Sequence, residues 1–230
     1  QQVKGDLFGK ALIFIQIPRA ERDQRPVFIK DDPCDALRPV TSDSSPFINN
    51  GPEWHRKRTR SPLAHEGLTA MLAEREPAID QLFAARARGT VHLETEMIQR
   101  WVFDAFSLLT IGHLLPDEVY EAGMRLMRHG DRRMRGAPAL SRGIRDARER
   151  WLEPFRGATE ALASLRRGSG LRRQDFDHEL ANVFPGGLFS VSSALANAIG
   201  LLGSHPELQD PDRVESVLRE TMRLFPPAAL

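Results

Sequence analysis

Apolar residues recur along most of the chain at three- and four-residue spacing, the period of helices buried on one face. Between Leu63 and Arg88, the residues Leu68, Met71, Leu72, Ile79, Leu82 and Phe83 share one side. Pro77 predicts a kink or a division of that helix, and Gly89-Thr90 ends it. Leu93–Leu115 carries Ile98, Trp101, Val102, Phe106, Leu109 and Ile111, apolar nearly all round, which predicts a central helix. Pro116-Asp117 opens another through Arg128, and Gly136–Pro138 is a break. Arg142–Leu165 is long and charged, with Trp151, Leu152, Phe155, Ala158 and Leu162 as its stripe, and Arg166 to Gly170 reads as a flexible turn.

Two later stretches have sharper punctuation. Asp175–Gly203 is a long apolar helix interrupted by Pro185-Gly186-Gly187, and proline and paired glycines inside a helix predict a kink. Asp210-Pro211-Asp212 opens the last helix with a capping carboxylate, a first-turn proline and an acid near the helix dipole. Val214, Val217, Leu218, Thr221 and Phe225 then form its apolar face, and Glu220 and Arg223, three apart on the other face, are spaced to pair. Pro226-Pro227 stops it. Near the N-terminus, residues 11–17 and 26–30 have the β-branched content of strands, a small β element ahead of a mostly helical body.

The chain of 230 residues, 41% hydrophobic, is long enough for a substantial core and is read as one domain over 1–230. A net charge of +1 argues against strong global attraction to nucleic acid or to an anionic membrane. No continuous apolar run reaches membrane-spanning length, and the N-terminal run Ala11–Ile15 is too short for a signal peptide, so a soluble, cytoplasmic protein is expected. Cys34 is the one cysteine; it excludes an internal disulfide framework and reads as a small hydrophobe on a short helix. His113 reads as a capping or surface histidine, with no partner at metal-ligand spacing.

The string Glu220-Thr221-Met222-Arg223-Leu224-Phe225-Pro226-Pro227 resembles the E-T-x-R-x-x-P-P signature of the cytochrome P450 family. Other stretches follow in the family's order. Asn50-Gly51-Pro52-Glu53-Trp54 with Arg58 resembles its C-helix. Gly186-Gly187-Leu188-Phe189-Ser190-Val191 takes the register of the kinked central-helix motif, with Phe189 at the usual acid and Ser190 at the usual threonine. The resemblance implies a P450 fold and a monooxygenase that oxidises a largely apolar small molecule with dioxygen and external electrons. The cofactor implied is haem (heme, iron protoporphyrin IX), and the electron donor a ferredoxin or flavoprotein reductase.

By the same resemblance Trp54 and Arg58 hold a haem propionate. That role suits an indole that only donates and a guanidinium that offers a rigid donor fork. Gly186, Gly187, Phe189 and Ser190 line the oxygen side as the catalytic segment, and Phe47, Ile48, Leu188, Phe189, Ala228, Ala229 and Leu230 face substrate. Glu220 and Arg223 are structural, in the family a buried pair shared with a further arginine from a later loop. That arginine and the family's F-x-x-G-x-x-x-C-x-G segment, whose thiolate ligates iron, have no counterpart in the 230 residues, and Cys34 lies in the wrong context to replace it. The chain therefore reads as an incomplete representation of a longer protein, with no metal ligand of its own.

Two other readings stay open. Phe189 in place of an acid favours a family member that uses peroxide or performs a redox-neutral rearrangement. The arginine-rich stretches around Arg58, Arg132 and Arg172 allow a helical nucleic-acid-binding or scaffold protein, against which the balanced net charge argues.

Overall fold

The computed structural model describes residues 52, 59, 61, 65–90, 92–134, 142–181 and 183–224, and the described part is mostly α-helical. The strands expected over 11–17 and 26–30 lie outside the described residues, as do Cys34, Phe47, Ile48, Trp54, Arg58, Phe225, Ala228, Ala229 and Leu230. In chain order the helices are α1 His65–Ala87, α2 Thr95–Ile111, α3 Asp117–Met134, α4 Arg142–Ala161 and α5 Ala163–Ser169. They continue with α6 Arg173–Ala181, α7 Val183–Ser204 and α8 Val214–Leu224, with short 3-10 turns at Pro206–Leu208 and Pro211–Arg213. Where one domain was expected, contacts divide the chain into two compact units. The described residues of the first fall within 69–112 and 186–224, and those of the second within 52–68 and 113–185.

The first unit is organised on α2. Every residue from Trp101 to Ser107 is buried, as its all-round apolar pattern predicts. Trp101 meets Phe83 of α1 edge to face, ring centroids 6.2 Å apart. Asp104 lies in the middle of this run and is fully buried; Arg86 Nη2 donates to its Oδ2 at 2.7 Å and Arg100 Nε to its Oδ1 at 3.1 Å. Burial pushes the Asp104 carboxyl up from its ordinary range, while Arg100 and Arg86 pull it back. Helix α2 is shorter than the expected Leu93–Leu115, because Gly112, in the left-handed conformation at φ 82°, caps it by donating to the carbonyls of Ser107 and Leu108. His113 follows outside the helix and is exposed. Helix α1 runs through Pro77 as one element, so the expected division there does not occur.

In the second unit α3 packs along α4, and α6 packs on α4. Trp151, Phe155 and Phe184 form an aromatic cluster with centroids 4.9–5.5 Å apart. Gly123 of α3 approaches Trp151 so closely that a Cβ there would come within 2.6 Å of the indole ring. The expected helix Arg142–Leu165 ends at Ala161, and the expected flexible turn Arg166 to Gly170 is instead mostly the helix α5. Gly170, at φ 64°, supplies its left-handed cap.

Of the expected helix Asp175–Gly203, α6 covers the part to Ala181 and α7 the part from Val183, with Asn182 between them outside the described residues; Pro185 is the third residue of α7. The nitrogen of Pro185 would have bonded the carbonyl of Ala181, four residues back, and its ring would have clashed there. In a first turn that missing donor has no intrahelical partner to lose. By length and composition Gly187–Ser204 could also cross a membrane, and 44% of that window is buried inside the protein.

Candidate functional site

The residues singled out by the resemblance, so far as they are described, fall on α7 and α8 of the first unit. Gly186 and Gly187 are helical. Gly187 is buried against Phe106 of α2, where an added Cβ would sit 2.8 Å from Cζ and 3.0 Å from Cε2 of the ring. The absence of a side chain is therefore needed for the approach of α7 to α2. Leu188 is fully buried, whereas Phe189 is 41% exposed, so these neighbours do not share an environment. Ser190 is half-buried and its Oγ donates to the Gly187 carbonyl at 3.2 Å, one turn back. Ser192 does the same deeper in the core, to the Leu188 carbonyl at 2.6 Å.

The start of α8 is built as its sequence predicts: the Asp210 carboxylate accepts from the Asp212 N–H at 3.0 Å. Val214, Val217, Leu218 and Thr221 are buried, the first three packing with Ala198 and Leu202 of α7. The Thr221 hydroxyl donates to the Val217 carbonyl at 2.7 Å, which lets a polar side chain sit on the apolar face. Glu220 and Arg223 do pair, Arg223 Nε donating to Glu220 Oε2 at 2.8 Å. The pair stands in solvent, unlike the buried pair that the resemblance implies. Arg223 holds the Glu220 carboxyl below its ordinary range, chiefly through this hydrogen bonding.

Trp54 and Arg58, the expected propionate donors, lie outside the described residues and are not placed. The space beside Gly187 is filled by the Phe106 ring. No cluster of three or more histidine, cysteine or acidic side chains among the described residues could hold a metal ion. The described residues therefore do not by themselves fit a haem site; they supply a helical frame on which the half-buried Ser190 carries a hydroxyl.

Pattern reading missed three buried acids, Asp104, Asp177 and Glu179. A signal was present for Asp104, which interrupts Phe103, Ala105 and Phe106 in a strongly apolar stretch. Asp177 and Glu179 had none, since α6 has a polar composition and is buried by residues distant in the sequence. The comparisons add no relative: no family model, curated protein or solved structure matches the chain.

Proposed function

We propose that this chain is the helical part of a P450-type haem-thiolate monooxygenase, oxidising a largely apolar small molecule with dioxygen and electrons from a ferredoxin or flavoprotein reductase. The observation that carries the reading is the string Glu220 to Pro227, an amphipathic helix with Glu220 and Arg223 three apart and a double proline following in the sequence. Supporting it, Gly186 and Gly187 precede that helix on the longest apolar helix of the first unit, and Trp54 and Arg58 precede both in the order the resemblance requires. The iron group would supply the oxidising chemistry. The chain's own part is narrower: Gly187 lets α7 close on α2, Phe189 offers an apolar contact to substrate, and Ser190 offers a hydroxyl able to orient one water.

The test uses the protein at its natural length, purified with whatever segments flank these residues. Bound carbon monoxide after reduction should shift the Soret band to the red as thiolate ligation does, and Arg58→Ala should release haem more readily than Arg56→Ala. A protein that takes up no haem overturns the reading. DNA binding with a steep salt dependence in such a protein would favour the arginine-rich helical alternative.

A further inference from the structure

Asp177 differs from the other buried acids of the described residues. Asp104 has two guanidinium partners, and Glu179, two residues on in α6, accepts the Ser61 hydroxyl at 3.1 Å. Asp177 is 6% exposed, and its Oδ1 is buried without a hydrogen-bond partner among the described residues. The charged groups that act on it are Arg156 of α4, Arg166 of α5 and Arg173 of α6. Arg166 has its own Nε buried without a partner among the described residues, and Arg173 Nη2 donates to the Arg156 carbonyl at 3.2 Å. Taking a carboxylate oxygen out of water without a donor favours the neutral form. The three arginines oppose that, and burial outweighs them, leaving the carboxyl at about 6.

Helix α6 has nine residues, too few to persist without packing. Its hold on the second unit comes from Phe176 and Leu180, both fully buried, and from its contact with α4. Asp177 lies between these two anchors. We propose that Asp177 makes α6 a proton-controlled latch on α4, packed when the carboxyl is neutral and loosened when it ionises.

The sign follows from linkage. When α6 opens, Asp177 returns to water and its ordinary range, so the packed state binds the extra proton between roughly pH 4 and 6. The Asp177 contribution to the latch is therefore largest at the acid end and is lost as pH rises through that window. His178, next on the helix, works the other way. Burial first, then Arg148 and Arg156, hold its imidazole below the ordinary value, with Asp175 and Glu149 opposing, so charging it at low pH loosens α6. A comparison with Asp177→Asn, which keeps the shape and removes the charge, isolates the carboxyl.

Amide hydrogen exchange from pH 4 to 7.5, corrected for intrinsic rates, measures the latch on the amides of Phe176 to Ala181, with those of α2 as reference. The ratio of protection in Asp177→Asn to that in the wild type should be near one at pH 4. It should climb by up to about tenfold per pH unit to pH 6 and then level off, while the α2 ratio stays flat. A ratio independent of pH overturns the proposal, and so does a variant whose α6 is less protected at neutral pH. A variant that does not fold overturns it equally, because the neutral side chain is the form held to pack. As a second measurement, a carbon-detected titration of the Asp177 carboxyl should have its midpoint near 6; a midpoint in the ordinary aspartate range would end the idea.

Discussion

The edge of the Phe106 ring lies 2.8 Å from where a Cβ on Gly187 would be, and this single approach sets how closely α7 meets α2. Phe106 is 1% exposed and cannot swing aside. Gly187→Ala gains about 1 kcal/mol of helix propensity but overpacks the contact at about 1–3 kcal/mol. The expected net is a loss of stability, read by chemical denaturation. In a Phe106→Leu background the same substitution should become neutral or stabilising; equal effects in both backgrounds would mean that the ring is not what excludes the side chain.

Asp104 is the second test of the same helix. Asp104→Ala removes the buried carboxylate that accepts from Arg86 and Arg100, whose side chains keep partial access to water. Loss of these charge-assisted hydrogen bonds should cost about 1.5–3 kcal/mol. Arg86→Ala, whose side chain is 41% exposed, should cost less than Asp104→Ala. A denaturation midpoint for Asp104→Ala within error of the wild type would show that the ion pairs and the burial cancel.

Gly112 is required by its backbone rather than by packing alone. At φ 82° a side chain is strained, and a Cβ there would also press to 3.2 Å on Nη1 of Arg75. Gly112→Ala should destabilise the protein by about 1 kcal/mol, whereas Gly112→Asn should recover part of the loss because asparagine tolerates this conformation better. Thermal melts of the two variants, run together, decide it.

Glu220→Gln addresses the signature helix. Its pair with Arg223 is fully solvated and open to screening by salt. In the chain of 230 residues the substitution should move the melting temperature by no more than about 1–2 °C. A larger drop would mean that Glu220 has a buried partner outside the described residues.

Ser190→Ala separates structure from chemistry. The hydroxyl donates within its own helix and is half-buried, so stability should change by less than about 1 kcal/mol. If the protein at natural length consumes dioxygen, the variant should yield less product per reducing equivalent. Unchanged coupling would remove Ser190 from the proposed chemistry.

The helical character and the inward faces were legible in the sequence because burial on one side of a helix writes a period of 3.6 into the chain. Val214, Val217, Leu218 and Thr221 are buried as spaced, Asp210 caps as its position predicts, and Glu220 reaches Arg223 because residues three apart on a helix are neighbours. Where helices divide depended on terms that a pattern does not hold. Pro185 falls in the first turn of α7, where its missing N–H costs no intrahelical hydrogen bond. Arg166 to Ser169 became helix because Gly170 could cap them. The reason for Gly187 was decided by Phe106, eighty-one residues earlier in the chain, and the burial of Asp177 by the packing of a polar helix, α6, which α4 contacts. Periodicity reports which side of a helix avoids water. Only the tertiary structure supplies the neighbour on that side, and the neighbour determines whether a glycine is a bend or a contact, and whether an acid is solvated or buried.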